Sequence, residues 1–517
     1  MIGRREPAAI PMPRHLPARR HPNRSLRFAS LAIAAAALML PWSGASAQGA
    51  ALAVPSAHAR VGFERIGLPG GERVGLVGTS YLVDLPVVEG LAAGPAVYGA
   101  ITGRRGGFFA IGAEVAWRRQ LAGPLGIELG LFAGGGGGAG APVGSGLMLR
   151  PHADLLWDFG PFALGLSVSH VRFPSGEIAS TQVGVVLNAI NNFRYVPASD
   201  LSTPVRSSGR AGLGFDRIQL VAGTYRVRSG TLLSDGSFAP RDIGTVGIRA
   251  EQSFGPNLYW GLEANGAVQD RVAGYAEYLG TLGFETEVVR NTLNVGARIG
   301  LGMAGGGGVQ TDGGLFGKAA VYGVVRISNE FGLALEAGAA GARHGDFRAA
   351  HASASLVWAL DGPQSDNSAA RPTRTDFSVG LERYDAARRD GTTQALDAGV
   401  LKVNRYLSRN FYLAGQVHSA VGGGAGGHLT ALIGAGWNQP VGGRFHVGAE
   451  MLAGAAGGGD VDSRGSVVQP MLYAGYQLTP AVALRLGAGR VKALDGPLSS
   501  TVVDLAVVIS YGVSAGN

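Results

Sequence analysis

From Leu293 to Met303 every second residue is apolar: Leu293, Val295, Ala297, Ile299, Leu301 and Met303. Between them stand Asn294, Arg298 and three glycines. A period of two marks a strand, because successive side chains leave opposite faces of the pleat. A helix would space its apolar residues three and four apart. The same alternation runs through Phe445 to Met451, Val482 to Leu486 and Val503 to Tyr511. Turn chemistry interrupts these runs at Gly123-Pro124, Gly255-Pro256-Asn257, Asp390-Gly391 and Gly442-Gly443. The stretch from Asn410 to Gly443 carries no charge after Phe411, yet its glycines at 422–424, 426 and 427 disfavour a helix. It is read as two strands around a glycine turn.

The strand pattern recurs. Leu131-Phe132-Ala133-Gly134 reappears as Met451-Leu452-Ala453-Gly454, and Gly302-Met303-Ala304-Gly305 lies between them. A glycine run follows each, at 134–138, 305–308 and 457–459. Trp117 recurs as Trp437, and Val171 and Gly176 as Val491 and Gly496. Three units are expected, over 58–195, 213–360 and 375–513. A period of about 150 residues is far longer than a solenoid or propeller repeat, so each unit is domain-sized. Each holds about eight strands, near 24 in all.

Residues 1–47 read as a secretory leader rather than as fold. Seven arginines from Arg4 to Arg27 precede an apolar run, Ala29 to Leu40, and the small residues Ala45-Ser46-Ala47. This segment changes the meaning of the formal charge of +8: removing its seven arginines and its one acid, Glu6, leaves +2. A nucleic-acid partner loses its electrostatic support. With no cysteine in the chain, disulfide scaffolds and thiolate metal sites are excluded.

An exported chain of alternating strands is either a soluble β-array or a barrel closed in a membrane. Hydrocarbon leaves no water for unpaired backbone groups, so strands can span only as a closed barrel. Spanning strands need about 9–11 residues with the apolar set outward. The less apolar face decides. It is mostly glycine, alanine and serine with isolated charges, and the chain is only 15% charged, whereas a water-facing surface carries about a quarter to a third. The fold class expected is therefore all-β, a transmembrane antiparallel barrel. Arg298, Glu450, Arg485 and Asp504 are its lumen-facing candidates, read chiefly as a salt-bridge network.

In these features the chain resembles Gram-negative outer-membrane β-barrel proteins. The last strand, Thr501 to Val513, is similar to their carboxy-terminal assembly signal, with an aromatic, Tyr511, near its end. The resemblance implies an outer-membrane location, with membrane lipid and the assembly machinery as partners. Three eight-stranded beads and one fused cylinder of about 24 strands both thread, and the single large barrel is favoured. The function expected is a pore or export channel for an unidentified cargo. A structural or surface-interaction barrel with a filled lumen is the alternative, and a lipid-modifying barrel enzyme a lesser one.

No catalytic, cofactor or metal site is expected. The glycine runs lack the Gly-Lys-Ser/Thr ending of a phosphate loop. Ser169 and His170 are strand neighbours and point to opposite faces. No two histidines carry a recognised ligand spacing.

Overall fold

The computed structural model describes residues 52–206, 210–360, 369–370 and 372–514; the leader expected over residues 1–47 lies outside the described residues. The first set of strands is β1 (Ser56–Gly67), β2 (Arg73–Asp84), β3 (Leu91–Thr102), β4 (Phe109–Ala122), β5 (Leu125–Gly137), β6 (Leu147–Asp158), β7 (Phe162–Arg172) and β8 (Ala179–Asn192). Two short strands follow, β9 (Val196–Pro197) and β10 (Val205–Arg206). The second set is β11 (Arg217–Val227), β12 (Asp242–Ser253), β13 (Leu258–Ala267), β14 (Ala276–Val289), β15 (Leu293–Gly305), β16 (Leu315–Arg326), β17 (Phe331–Ala342) and β18 (Arg348–Ala359). After β19 (Ala369–Ala370) comes the third: β20 (Pro372–Ala387), β21 (Thr393–Tyr406), β22 (Phe411–Gly422), β23 (Leu429–Gly442), β24 (Phe445–Gly457), β25 (Gly465–Thr479), β26 (Val482–Ala493) and β27 (Ser499–Ser514).

Every consecutive pair within a set is antiparallel, and each set closes on itself. β8 pairs with β1 at Leu187↔Val61, β18 with β11 at Leu356↔Leu220, and β27 with β20 at Leu505↔Leu381. The single cylinder of about 24 strands expected from the sequence is thus corrected to three eight-stranded barrels. The physical reason lies in the filling. An eight-stranded cylinder is just wide enough to be packed with side chains, and this chain supplies them as pairs of tyrosine and glycine. Gly78 faces Tyr98 across the β2–β3 ladder, Gly296 faces Tyr322, Gly436 faces Tyr412 and Gly448 faces Tyr473. A Cβ at Gly78 would lie 2.2 Å from the Tyr98 ring, and one at Gly448 2.2 Å from Tyr473. The missing side chain lets each ring fold flat across its neighbouring strand into the lumen.

The outer faces are apolar. Leu166, Ile299, Leu335 and Leu472 are each 59–70% exposed on outward positions, a density of bare hydrophobes that soluble surfaces do not sustain. The strands are joined at one end by tight turns, such as Gly123-Pro124, and at the other by glycine-rich loops. Aromatic residues collect at the turn end: Phe159 stacks on Phe162 at 5.0 Å, Phe331 on Trp358 at 6.3 Å, and Phe445 meets Tyr476 at 5.0 Å.

The barrels pack as a ring. β3 of the first lies against β15 and β16 of the second, β13 of the second against β24 of the third, and β22 of the third against β5 and β6 of the first. In each case the third strand of one barrel meets the fifth of the next, a head-to-tail contact that closes after three steps. Glycines at the loop end allow the approach. Gly107, Gly274 and Gly427 have φ of +90°, +95° and +89°, and a Cβ there would meet the backbone nitrogen of Gly306, Gly458 and Gly138 at 2.0, 2.8 and 2.6 Å. Hydrogen bonds cross the seams: Gly427 N–H donates to Gly136 O at 3.1 Å, and Ser466 Oγ donates to Val268 O at 2.7 Å. At the turn end β10 pairs with β19, and β9 with β27, so the linkers tie the barrels together. Tyr511 packs there on Phe193 and Tyr195, at 5.6 and 6.1 Å.

Candidate functional site in the barrel lumens

Alternation that points leucines at the outside points the intervening charges inward, and closure brings charges from distant strands together. In the third barrel Glu450 of β24 is the hub. It accepts from both nitrogens of Arg485 at 3.0 and 2.8 Å, from Lys402 Nζ at 2.5 Å and from Tyr412 Oη at 2.5 Å. The Arg485 guanidinium stands 4.1 Å over the Tyr473 ring and 3.7 Å from Asp504. His418 contacts Glu382 at 3.0 Å.

The second barrel repeats the plan with other residues. Arg249 donates to Glu263 at 2.7 Å and to Glu336 at 3.2 Å. Arg298 reaches Glu251 at 2.6 Å and Glu336 at 2.8 Å, and stands 4.1 Å over Tyr322. Lys318 donates to Glu263 at 2.7 Å, and His351 contacts Glu336 at 2.9 Å. In the first barrel Arg60 holds Asp154 at 2.8 Å, and Arg150 grips Glu64 through two 2.8 Å bonds while lying 5.1 Å over Tyr98. His152 bridges Asp154 and Glu114 at 3.1 and 3.2 Å. A shared device emerges: a guanidinium over a tyrosine whose ring fills the space of a cross-strand glycine, with carboxylates on its edges. Buried charges persist only when paired in this way.

Arg298, Glu450 and Arg485 are 4–5% exposed within these networks, and Asp504 lies beside them with a side chain 13% exposed. Sequence reasoning did not single out Arg60, Glu64, Glu114, Arg249, Glu263 or Lys402. Each stands at an inward position of its strand, so the alternation that marked Arg298 applies to them too. Ser169 and His170 do not meet: Ser169 Oγ donates to Glu64 at 2.5 Å inside, while His170 contacts Thr181 at 2.7 Å on the outer face. Ser419 sits in the seam between barrels, donating to Ile111 O at 3.0 Å, away from the lumen contact of His418 with Glu382.

Toward the loop end each lumen is filled by apolar side chains. Phe108, Phe132 and Phe173 lead this cluster in the first barrel, and Tyr225, Phe316 and Phe347 in the second. In the third, Leu432, Leu452, Val461 and Leu498 gather around Tyr384. His428 takes the place that Phe108 and Tyr275 occupy: all three donate their backbone N–H into a loop turn at 2.9 Å, and their carbonyls accept from Ala420, Ala100 and Ala267 at 3.0 Å. His428 is 1% exposed, meets Tyr384 Oη at 3.0 Å, and burial pushes its pKa down to about 4.

No family profile and no curated protein matches the chain. Solved structures overlap it weakly. A mutant of the ferric enterobactin receptor PfeA from Pseudomonas aeruginosa is 10% identical, with a TM-score of 0.28 over 88% of this chain and 80% of that one. OccAB3 from Acinetobacter baumannii is 8% identical, with a TM-score of 0.23 over 89% and 99%. The siderophore receptor PirA from Pseudomonas aeruginosa is 8% identical, with a TM-score of 0.26 over 89% and 80%. All three are outer-membrane β-barrel proteins of Gram-negative bacteria; at TM-scores this low the overlap carries no argument about this chain's family or cargo.

Proposed function

We propose that the chain is an outer-membrane protein of three closed barrels with filled lumens, serving a structural or surface-interaction role rather than open diffusion. The observation that carries this reading is the interior. A hydrogen-bonded ion network occupies each cylinder, with Arg60 and Arg249 at 1% and 0% exposure, and an apolar cluster caps it at the loop end. The bare outer leucines support the membrane location, since that density of apolar side chains suits lipid. In this reading the termini and tight turns lie on the periplasmic side, the glycine loops face outward, and β27 with Tyr511 is the strand offered to the assembly machinery.

A second reading, a channel for an unidentified solute, draws on one observation. Several buried polar atoms of the lumens have no hydrogen-bond partner, among them Gln469 Oε1, Asp504 Oδ1 and Arg298 Nη2, and such atoms favour water along the axis. Single-channel recording in planar bilayers separates the two. The filled-lumen reading expects no stable conductance steps from the purified protein. Reproducible steps that change in size with Glu450→Gln would favour the channel.

A further inference from the structure

We propose that the lumen of the first barrel binds one divalent transition-metal ion, of the zinc class, between Glu128, His152 and Asp154, with His58 facing the same Glu128. Glu128, His152 and Asp154 offer donor atoms that all lie within 4.8 Å of one another, and all three residues are buried. Two donor pairs already have the right separation. His152 Nδ1 and Asp154 Oδ1 are 3.1 Å apart, and His58 Nε2 and Glu128 Oε2 are 3.4 Å apart. Two ligands at about 2.0–2.2 Å from one tetrahedral ion are roughly 3.3 Å from each other.

Unmet valence points to the same spot. His58 is 5% exposed and its Nε2, 3.4 Å from Glu128 Oε2, makes no hydrogen bond; Glu128 is 0% exposed and its Oε1 makes none, with Arg60 Nε standing off at 3.7 Å. Charge points there too. The buried charged side chains of this barrel are four carboxylates, Glu64, Glu114, Glu128 and Asp154, against two guanidiniums, Arg60 and Arg150. The other two barrels each seat a buried lysine, Lys318 and Lys402, among their carboxylates. The first barrel has no lysine anywhere between Ser56 and Asn192. A dication offsets the two surplus carboxylates while leaving the ligating imidazole neutral, as ligation requires.

The surrounding groups suit this role. With Nδ1 on the ion, His152 Nε2 keeps its hydrogen on Glu114 Oε1 at 3.2 Å, the carboxylate–histidine arrangement that orients metal-bound imidazoles. Arg60 holds the other oxygen of Asp154 at 2.8 Å. Gly130, across the ladder from His152, leaves the space the ring fills: a Cβ there would lie 2.3 Å from Nε2. The rival arrangement has no metal, and both histidines carry protons as counter-ions to the same carboxylates.

The test uses the full chain, purified in chelator, refolded in detergent and titrated with Zn²⁺ alone or Co²⁺ alone. The expected result is one ion per chain after gel filtration, with visible Co²⁺ absorption of a four-coordinate nitrogen–oxygen site. His58→Gln combined with Glu128→Gln is expected to abolish binding. Glu114→Gln should weaken it about 10–100-fold, and His446→Gln, in the third barrel, should leave it unchanged. Because a variant can fail to fold, the wild-type stoichiometry and Co²⁺ spectrum stand as an independent readout. Absence of bound ion in the folded wild type, or binding that survives the double substitution, overturns the proposal in favour of protonated histidines.

Discussion

Glycine on the inward face of a strand normally weakens it, because it has no side chain to pack. Here the opposite strand supplies the packing, and the cost moves to any residue that replaces the glycine. Gly436→Ala is expected to destabilise the protein by about 1–3 kcal/mol, as overpacking does. Tyr412→Ala in the same chain should recover part of that loss in urea titrations, since the Cβ would meet the Tyr412 ring at 2.3 Å. Glu450→Leu strands Lys402 and leaves Arg485 only Asp504 at 3.7 Å, a loss of about 3–5 kcal/mol that should appear as a lowered urea midpoint. His428 gives a pH dependence with a definite sign. Its folded pKa near 4 lies below the ordinary 6.5, so the unfolded chain binds the proton first. Stability is complete above about pH 6.5 and falls as the pH drops toward 4. His428→Phe, the side chain at the matching place in the first barrel, should flatten that slope in unfolding measured at successive pH values. At this scale the alternation that marked Arg298, Glu450, Arg485 and Asp504 was readable in the sequence. The meeting of His58 with Glu128 was not, since it depends on strands far apart in sequence and on where the sheet closes.

The strands carry two messages on their two faces. In the proposed reading the outward message is lipid. Leu166→Arg or Leu335→Arg is expected to cost about 2–4 kcal/mol near the bilayer midplane, measured by refolding into vesicles, while a similar change at a solvated loop position should cost far less. Strand identity was legible because both faces alternate without a break; Asn410 to Gly443 indeed folds as β22 and β23 around the glycine turn. One alignment was not legible. Gly305 ends β15 as Gly137 ends β5, so the middle glycine run belongs three residues away from the match drawn between Leu131 and Gly302. In a strand an odd displacement exchanges the faces. Accordingly Phe132 fills its lumen while Met303 leaves the second barrel and packs against Gly99 of the first. A repeat rich in glycine and alanine holds too little side-chain information to settle such a shift.

Across the molecule, closure decides everything the strands leave open. The outward faces of β1 and β8 look alike whether they pair with each other or with strands of the neighbouring barrels, because edge pairing is written in backbone groups every residue shares. What selects eight strands is volume: tyrosines over glycines and a full ion network leave no room for a wider cylinder. The glycine loops then let three such cylinders meet as a ring. The absence of cysteine from the chain permits a direct test of this closure by paired cysteines, since residues facing one another across an antiparallel ladder are about 4.5–5.5 Å apart, within disulfide reach. In the purified protein, Val61→Cys with Leu187→Cys, Leu220→Cys with Leu356→Cys, and Leu381→Cys with Leu505→Cys are each expected to oxidise readily to an intramolecular disulfide. The mixed pairs, Leu187→Cys with Leu220→Cys and Val61→Cys with Leu505→Cys, are expected to stay reduced. Oxidation of the mixed pairs with none in the first three would mean that the strands run on into one large cylinder, and would contradict three closed barrels.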